Sequence, residues 1–147
     1  HIAVEGPTIG ENGIQVFSSA YPFLVTLEDA DEVLVYNMVK VMMEHFDEYK
    51  ENAPGANGWA IGRQKFDQAF VPYHPGAIRY FKEIGVWKDT AESRNQANLR
   101  RQLILQDAWQ TFLLAAPEDY RAFEEGWLRA REAALGAAGL ITLGEGL

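Results

Sequence analysis

Apolar residues recur at every third or fourth position in three long segments, and proline or glycine closes each of them. In the first, Val35, Val39, Met42, Phe46 and Tyr49 share one helical face. The acids of Glu28-Asp29-Ala30-Asp31-Glu32 suit the positive end of a helix dipole, with Asp29 or Asp31 as the N-cap. Asn52-Ala53-Pro54-Gly55 stops that helix. The second segment carries Leu99, Leu103, Trp109, Phe112 and Leu113 and ends near Pro117, which suits the first position of a following helix. The third carries Tyr120, Phe123, Trp127, Ala130 and Ala134, and Gly136 and Gly139 close it. Residues 90–136 therefore predict an antiparallel helical hairpin with a short turn.

The front of the chain reads differently. Residues 1–13 are rich in Gly and turn formers and predict a loop. Ile14 to Phe17 predicts a short strand, and Tyr21 to Leu27 another, with Pro22 confining the second to an edge or a strand start. Residues 53–62 predict a loop with Trp59 as a buried candidate, and 63–70 a helical turn or two. The tail from Leu140 to Leu147 has no clear preference, and no internal repeat is visible.

Charge narrows the partners. The net charge is −8, and all of the excess lies early: residues 1–60 hold ten acids and two bases, residues 61–147 eleven of each. Such a front repels phosphate, so neither nucleic acid nor anionic lipid is an expected partner. Solubility alone also accounts for it. Cysteine is absent, which excludes disulfides, thiolate chemistry and Cys-ligated zinc. The longest apolar run, Ala133 to Leu143, is about half of the roughly 20 residues a membrane helix needs. The chain opens on His1 rather than Met, so a processed product or a fragment of a longer protein is expected.

Chemistry is hard to find by motif. Glu44, His45, Asp47 and Glu48 cluster on one helix, but a metal wants ligands converging from several elements, and a solvated face explains the cluster. Gly55 to Gly62 lacks the Lys-Ser/Thr of a phosphate loop. There is no nucleophile elbow and no HExxH, and His45 and His74 lie far apart in sequence. No catalytic residue, metal or cofactor is expected, and the chain is not read as an enzyme. Trp59, Trp87, Trp109 and Trp127 fall where core positions fall, without the interleaved bases of a stacking surface.

One short stretch is far more specific: VPYHPGAIRYFKEIGVW, residues 71–87. His74 precedes a proline, so its backbone is pushed to the extended region. Pro75 then opens a helix, with His74 as N-cap and its side chain in reach of a free backbone N–H. Ala77, Ile78, Phe81 and Ile84 supply apolar contacts, and Gly85 ends the helix in the left-handed conformation.

This stretch resembles the closing motif of the TAXI family of solute receptors, the binding proteins of tripartite ATP-independent periplasmic (TRAP) transporters. Pro72, Tyr73, His74, Pro75, Gly76, Ala77, Arg79, Tyr80, Phe81, Glu83 and Gly85 stand in register with it. Upstream, Pro-Phe-Leu-Val-Thr, Val-Tyr-x-Met-Val-Lys and Glu-His-Phe-Asp-Glu are similar too, so the resemblance covers about residues 5–88. The residue patterns predict a helix-dominated α+β chain with two or three short strands near the front, and the resemblance implies the C-terminal portion of a periplasmic-binding-protein-like two-lobed α/β fold, with a C-terminal helical hairpin. Residues 1–88 would be the receptor segment, matching about the last third of the family's length, and residues 89–147 a hairpin extension and tail.

The resemblance further implies a periplasmic receptor that binds a small organic solute, such as an amino acid or organic acid, and docks on transporter membrane subunits. Arg79 is the candidate carboxylate clamp and His74 a candidate ligand contact, although an ion pair and a helix cap explain them equally. The alternative is a helical protein–protein interaction module or self-associating domain, a homo-oligomer built through the hairpin.

Overall fold

The computed structural model describes residues 2–3, 14–15 and 23–142. The chain divides into two compact units, His1–Gln64 and Lys65–Leu147. This packing boundary differs from residue 88, where the family resemblance ends. The proline-started helix belongs to the same compact unit as the hairpin that follows it.

In the first unit, strands β1 (Ile2–Ala3) and β2 (Ile14–Gln15) pair antiparallel, Ile2 with Gln15 and Ala3 with Ile14. Helix α1 (Glu32–Glu44) starts where Asp31 Oδ1 accepts from the Leu34 N–H at 2.7 Å, so Asp31 rather than Asp29 is the cap. The helix breaks at His45 and resumes as the single turn α2 (Phe46–Tyr49). Tyr49 bridges the break, its hydroxyl donating to the Met42 carbonyl at 2.9 Å. Gly55, at φ 85°, then leads into 3₁₀ turns at Ala56–Trp59 and Ile61–Arg63. Val35, Val39, Met42, Phe46 and Tyr49 are half-buried, as their common face requires, but no residue of α1 is fully buried.

In the second unit a 3₁₀ turn (Phe66–Gln68) and an extended segment lead into α3 (Pro75–Glu83). Then come α4 (Asp89–Leu113) and α5 (Tyr120–Ala137). α4 and α5 form the hairpin expected from the apolar spacing. Trp109 and Phe112 of α4 interlock with Phe123 and Trp127 of α5, with Trp109–Trp127 centroids 4.8 Å apart at 78°. Such edge-to-face contacts add to the stabilisation from burial. The helices approach closely at Gly126, where a Cβ would lie 3.0 Å from the Phe112 ring. Leu135 is fully enclosed, and Arg101 Nη1 donates to the Ile141 carbonyl at 2.7 Å, tying the chain after α5 back to α4.

Several expectations need correction. The α+β reading, as part of a two-lobed α/β fold, does not hold: the chain is helix-rich, and among the described residues β-structure is limited to two strands of two residues each. Strands that short cannot build a sheet layer for helices to cover. The strand expected at Tyr21 to Leu27 is not formed over its described part. Phe23 to Leu27 has no regular structure, and Leu27 is 76% exposed. Branched and aromatic residues favour a strand only when neighbouring strands pack against them. Pro117 does not open α5. Asp119 caps it instead, accepting from the Ala122 N–H at 2.9 Å, and Pro117 lies in the connection. Gly136 lies inside α5, and Gly139, at φ 70°, closes it.

Candidate functional site

The region built around α3 carries the sequence motif, and its local structure follows from the residue types. Pro75 occupies the first helical position, where no hydrogen bond is lost. His74 is extended (φ −66°, ψ 142°), and its Nδ1 accepts from the Gly76 N–H at 3.1 Å. At the other end Gly85, at φ 73°, completes a Schellman motif. Val86 N–H donates to the Phe81 carbonyl at 3.0 Å, and Gly85 N–H to the Lys82 carbonyl at 3.0 Å.

One face of α3 is buried through Gly76, Ala77, Tyr80 and Phe81. Phe66, Tyr73, Phe81 and Trp87 gather into an aromatic box. Phe66–Phe81 centroids lie 4.8 Å apart, and Tyr73–Trp87 centroids 5.3 Å apart at 81°. Burial pushes the Tyr73 phenol above its ordinary pKa.

α4 holds this assembly by polar side chains aimed at backbone. Asn98 Nδ2 donates to the Ala69 carbonyl at 2.9 Å and the Val71 carbonyl at 3.1 Å. Asn95 Oδ1 accepts from the Tyr73 N–H at 2.7 Å. Both asparagines are buried, at 3% and 6% exposure for Asn95 and Asn98. Arg94 Nε adds a bond to the Asp67 carbonyl at 3.0 Å. The extended segment before α3 is thus hydrogen-bonded to a helix as it would be to a neighbouring strand, which satisfies its buried backbone groups.

Glu92 joins the two helices. Its carboxylate accepts from Gln96 Nε2 at 3.0 Å and from Trp87 Nε1 at 2.8 Å, and pairs with Lys82 Nζ at 3.0 Å. The hydrogen bonds from Gln96, Trp87 and Lys82 lower its pKa to about 2. A carboxylate with a depressed folded pKa stabilises the fold fully above its unfolded value. That contribution fades as the pH falls from there and is gone below about 2. Glu92→Gln is therefore expected to lose stability relative to wild type at neutral pH. The gap between the two proteins should close as the pH is lowered through that window. Denaturation curves over an acid pH series check this. Added salt should narrow the gap, because the side chain is partly exposed.

The two site residues named from the motif are both on this helix but do not converge. His74 is half-buried and caps α3, while Arg79 is exposed. They stand five positions apart, about 140° of rotation around a helix axis. Sequence reading missed Glu92, Asn95 and Asn98, which do more to fix the geometry.

The acidic cluster of the first unit is made of local pairs. His45 Nδ1 lies 2.6 Å from Glu48 Oε1, Lys50 Nζ 2.7 Å from Asp47 Oδ1, and Lys40 Nζ 3.8 Å from Glu44 Oε1. Among the described residues no three His, Asp or Glu side chains gather as a metal set. A shallow groove of about 490 Å³ runs between α4 and α5, lined by Ile104, Ala108, Phe112, Ala130 and Ala134 among others. Its lining includes Asp107 and no Lys, Arg or His, so it offers nothing to neutralise an organic anion.

The arrangement can hold a helix rigidly and satisfy its polar groups. Residues 15–85 match the NMT1-like family, a family of the periplasmic-binding type. The matched segment ends at Gly85, the residue that terminates α3, so the motif helix is its last element. This likeness suggests a solute-binding role in a transport context. No curated protein and no solved structure matches the chain. Among the described residues no helix is long and apolar enough to cross a membrane.

Proposed function

We propose that this chain is part of an extracytoplasmic solute-binding receptor of a TRAP-type transporter, of the TAXI kind, that takes up a small organic solute such as an amino acid or organic acid. The observation that carries this reading is the family match over residues 15–85, which coincides with the motif through Gly85. Its work is binding and hand-over to membrane subunits, without turnover. His74 supports the site as a positioning residue, because its ring nitrogen is already engaged at the helix N-terminus. Arg79, exposed on α3, is the side chain offered for a solute carboxylate.

A thermal-shift or calorimetry panel of amino acids and dicarboxylates on the full-length gene product tests this. A true ligand at a hundred times its Kd should add about 2.7 kcal/mol of stability. Arg79→Ala should abolish the shift, measured against the melting temperature of the unliganded variant itself. Chemical conversion of the stabilising compound would contradict the receptor reading. So would a panel in which no compound shifts the melting curve.

A further inference from the structure

Helix α1 is apolar on more than the face it packs. Next to Val35, Val39 and Met42, about 100° round the helix axis, the side chains of Leu34 (64% exposed), Met38 (43%) and Val41 (56%) form a stripe at spacings of four and three. An apolar arc wider than the face a helix packs leaves part of that arc uncovered, while Asn37, Lys40 and Glu44 make the remaining side polar. The stripe is bounded by carboxylates at both ends: Asp31 and Glu32 at its start and Glu44 at its finish, with Asp47 and Glu48 beyond it in α2; Glu44 pairs with Lys40, Asp47 with Lys50 and Glu48 with His45. Residues 28–48 hold seven acids and one base, Lys40.

That charge decides the occupant. A second copy laid antiparallel would bring the acidic start of one helix against the acidic finish of the other, and a parallel copy would stack like on like. Either arrangement costs Coulomb energy at every carboxylate. A cationic partner gains it instead. Methionine and leucine in the stripe repack readily against a partner's apolar face, and an apolar helix face edged by carboxylates suits a basic amphipathic helix.

We propose that the exposed stripe of α1 is a docking surface for a lysine- or arginine-rich amphipathic helix of another protein. This stands apart from the solute-binding reading and does not depend on it. The test titrates the intact protein against a labelled Leu/Lys peptide patterned as an amphipathic helix. Two controls accompany it, a scrambled peptide of the same composition and a Leu/Glu peptide of the same pattern.

The patterned Leu/Lys peptide should bind, with affinity falling as salt is raised, and both controls should bind far more weakly. Leu34→Glu with Met38→Glu should weaken binding on the order of tenfold or more, since each replaces apolar surface buried by the partner with a carboxylate. Both positions face solvent, so the fold should survive; circular dichroism confirms it. As a second variant, Glu28→Lys with Asp29→Lys should weaken binding and flatten its salt dependence without touching the stripe. Equal binding of the scrambled peptide would overturn the proposal, as would unchanged binding by the double glutamate variant. A dimer in light scattering that Leu34→Glu dissolves would also overturn it, by making a second copy the occupant.

Discussion

Truncating Phe81 to alanine is expected to lower the stability of the second unit by about 3–5 kcal/mol. Phe81 is 5% exposed and meets Phe66, Tyr73 and Tyr80 at centroid distances of 4.8, 6.0 and 6.1 Å. Its carbonyl also receives the Val86 and Trp87 amides, so the residue joins the core to the helix stop. The cavity cannot close easily. Proline at one end of α3 and the Schellman turn at the other fix the helix, and Trp87 is pinned to Glu92 by its indole. With few alternative contacts available, most of the lost transfer energy should appear as lost stability. Urea unfolding followed by tryptophan fluorescence measures it. Phe81→Leu, which refills part of the space, should recover more than half of the loss.

The second large effect is expected at Asn98. Asn98→Ala leaves the Ala69 and Val71 carbonyls without their donor in a part-buried setting, at a cost toward the lower end of about 1–3 kcal/mol for each group left unsatisfied. Asn98→Asp should do at least as much damage despite its near-identical shape, because it turns a carboxylate oxygen toward two carbonyl oxygens. That comparison separates hydrogen bonding from packing. If Asp were tolerated while Ala was not, side-chain volume would be the source of the effect. Asn95→Ala should cost less, since one bond to the Tyr73 amide is lost. The two substitutions together should fall short of additivity, because both release the same segment.

These residues show where the sequence was readable and where it was not. The bracket around α3 was legible to the residue: His74 as cap, Pro75 as the first helical position, Gly85 as the left-handed stop. Each is a local rule, fixed by backbone sterics within a few positions. The α4–α5 hairpin was legible for a similar reason, because its aromatic spacing matches one helical face. The polar clamp was not. Ala91, Asn95 and Asn98 fall at spacings of four and three and are the buried residues of α4, while Leu103, assigned to its apolar side, is 65% exposed. Asparagine is a poor helix former whose amide seeks backbone. Two of them sharing a face with a small alanine was a signal that a neighbouring segment needed hydrogen bonds. Which segment was a tertiary fact, with 27 and 29 residues between Asn98 and its acceptors.

The strands failed for the opposite reason. Phe23 to Leu27 has strand composition, yet a strand is stabilised by paired strands beside it, and no strand among the described residues pairs with this segment. The α/β expectation came from family likeness rather than from local pattern, and it is the part that the structure overturned. Of the candidate site, the sequence located the helix but not its supports. Glu92 was not singled out in the sequence, yet it is the acceptor that joins Trp87, Lys82 and Gln96.

The account turns on α3 being a packed element locked to α4, with its conspicuous residues spent on structure. Amide hydrogen exchange at Tyr73 in the intact protein reads this most directly, since that N–H lies in an extended segment and is bonded only through the Asn95 side chain. The amide should exchange as slowly as those in the middle of α4, and Asn98→Asp should speed it together with the α3 amides. Rapid exchange at Tyr73 in the wild-type protein, beside a protected α4, would mean that the motif segment moves freely and that the clamp described here does not hold it.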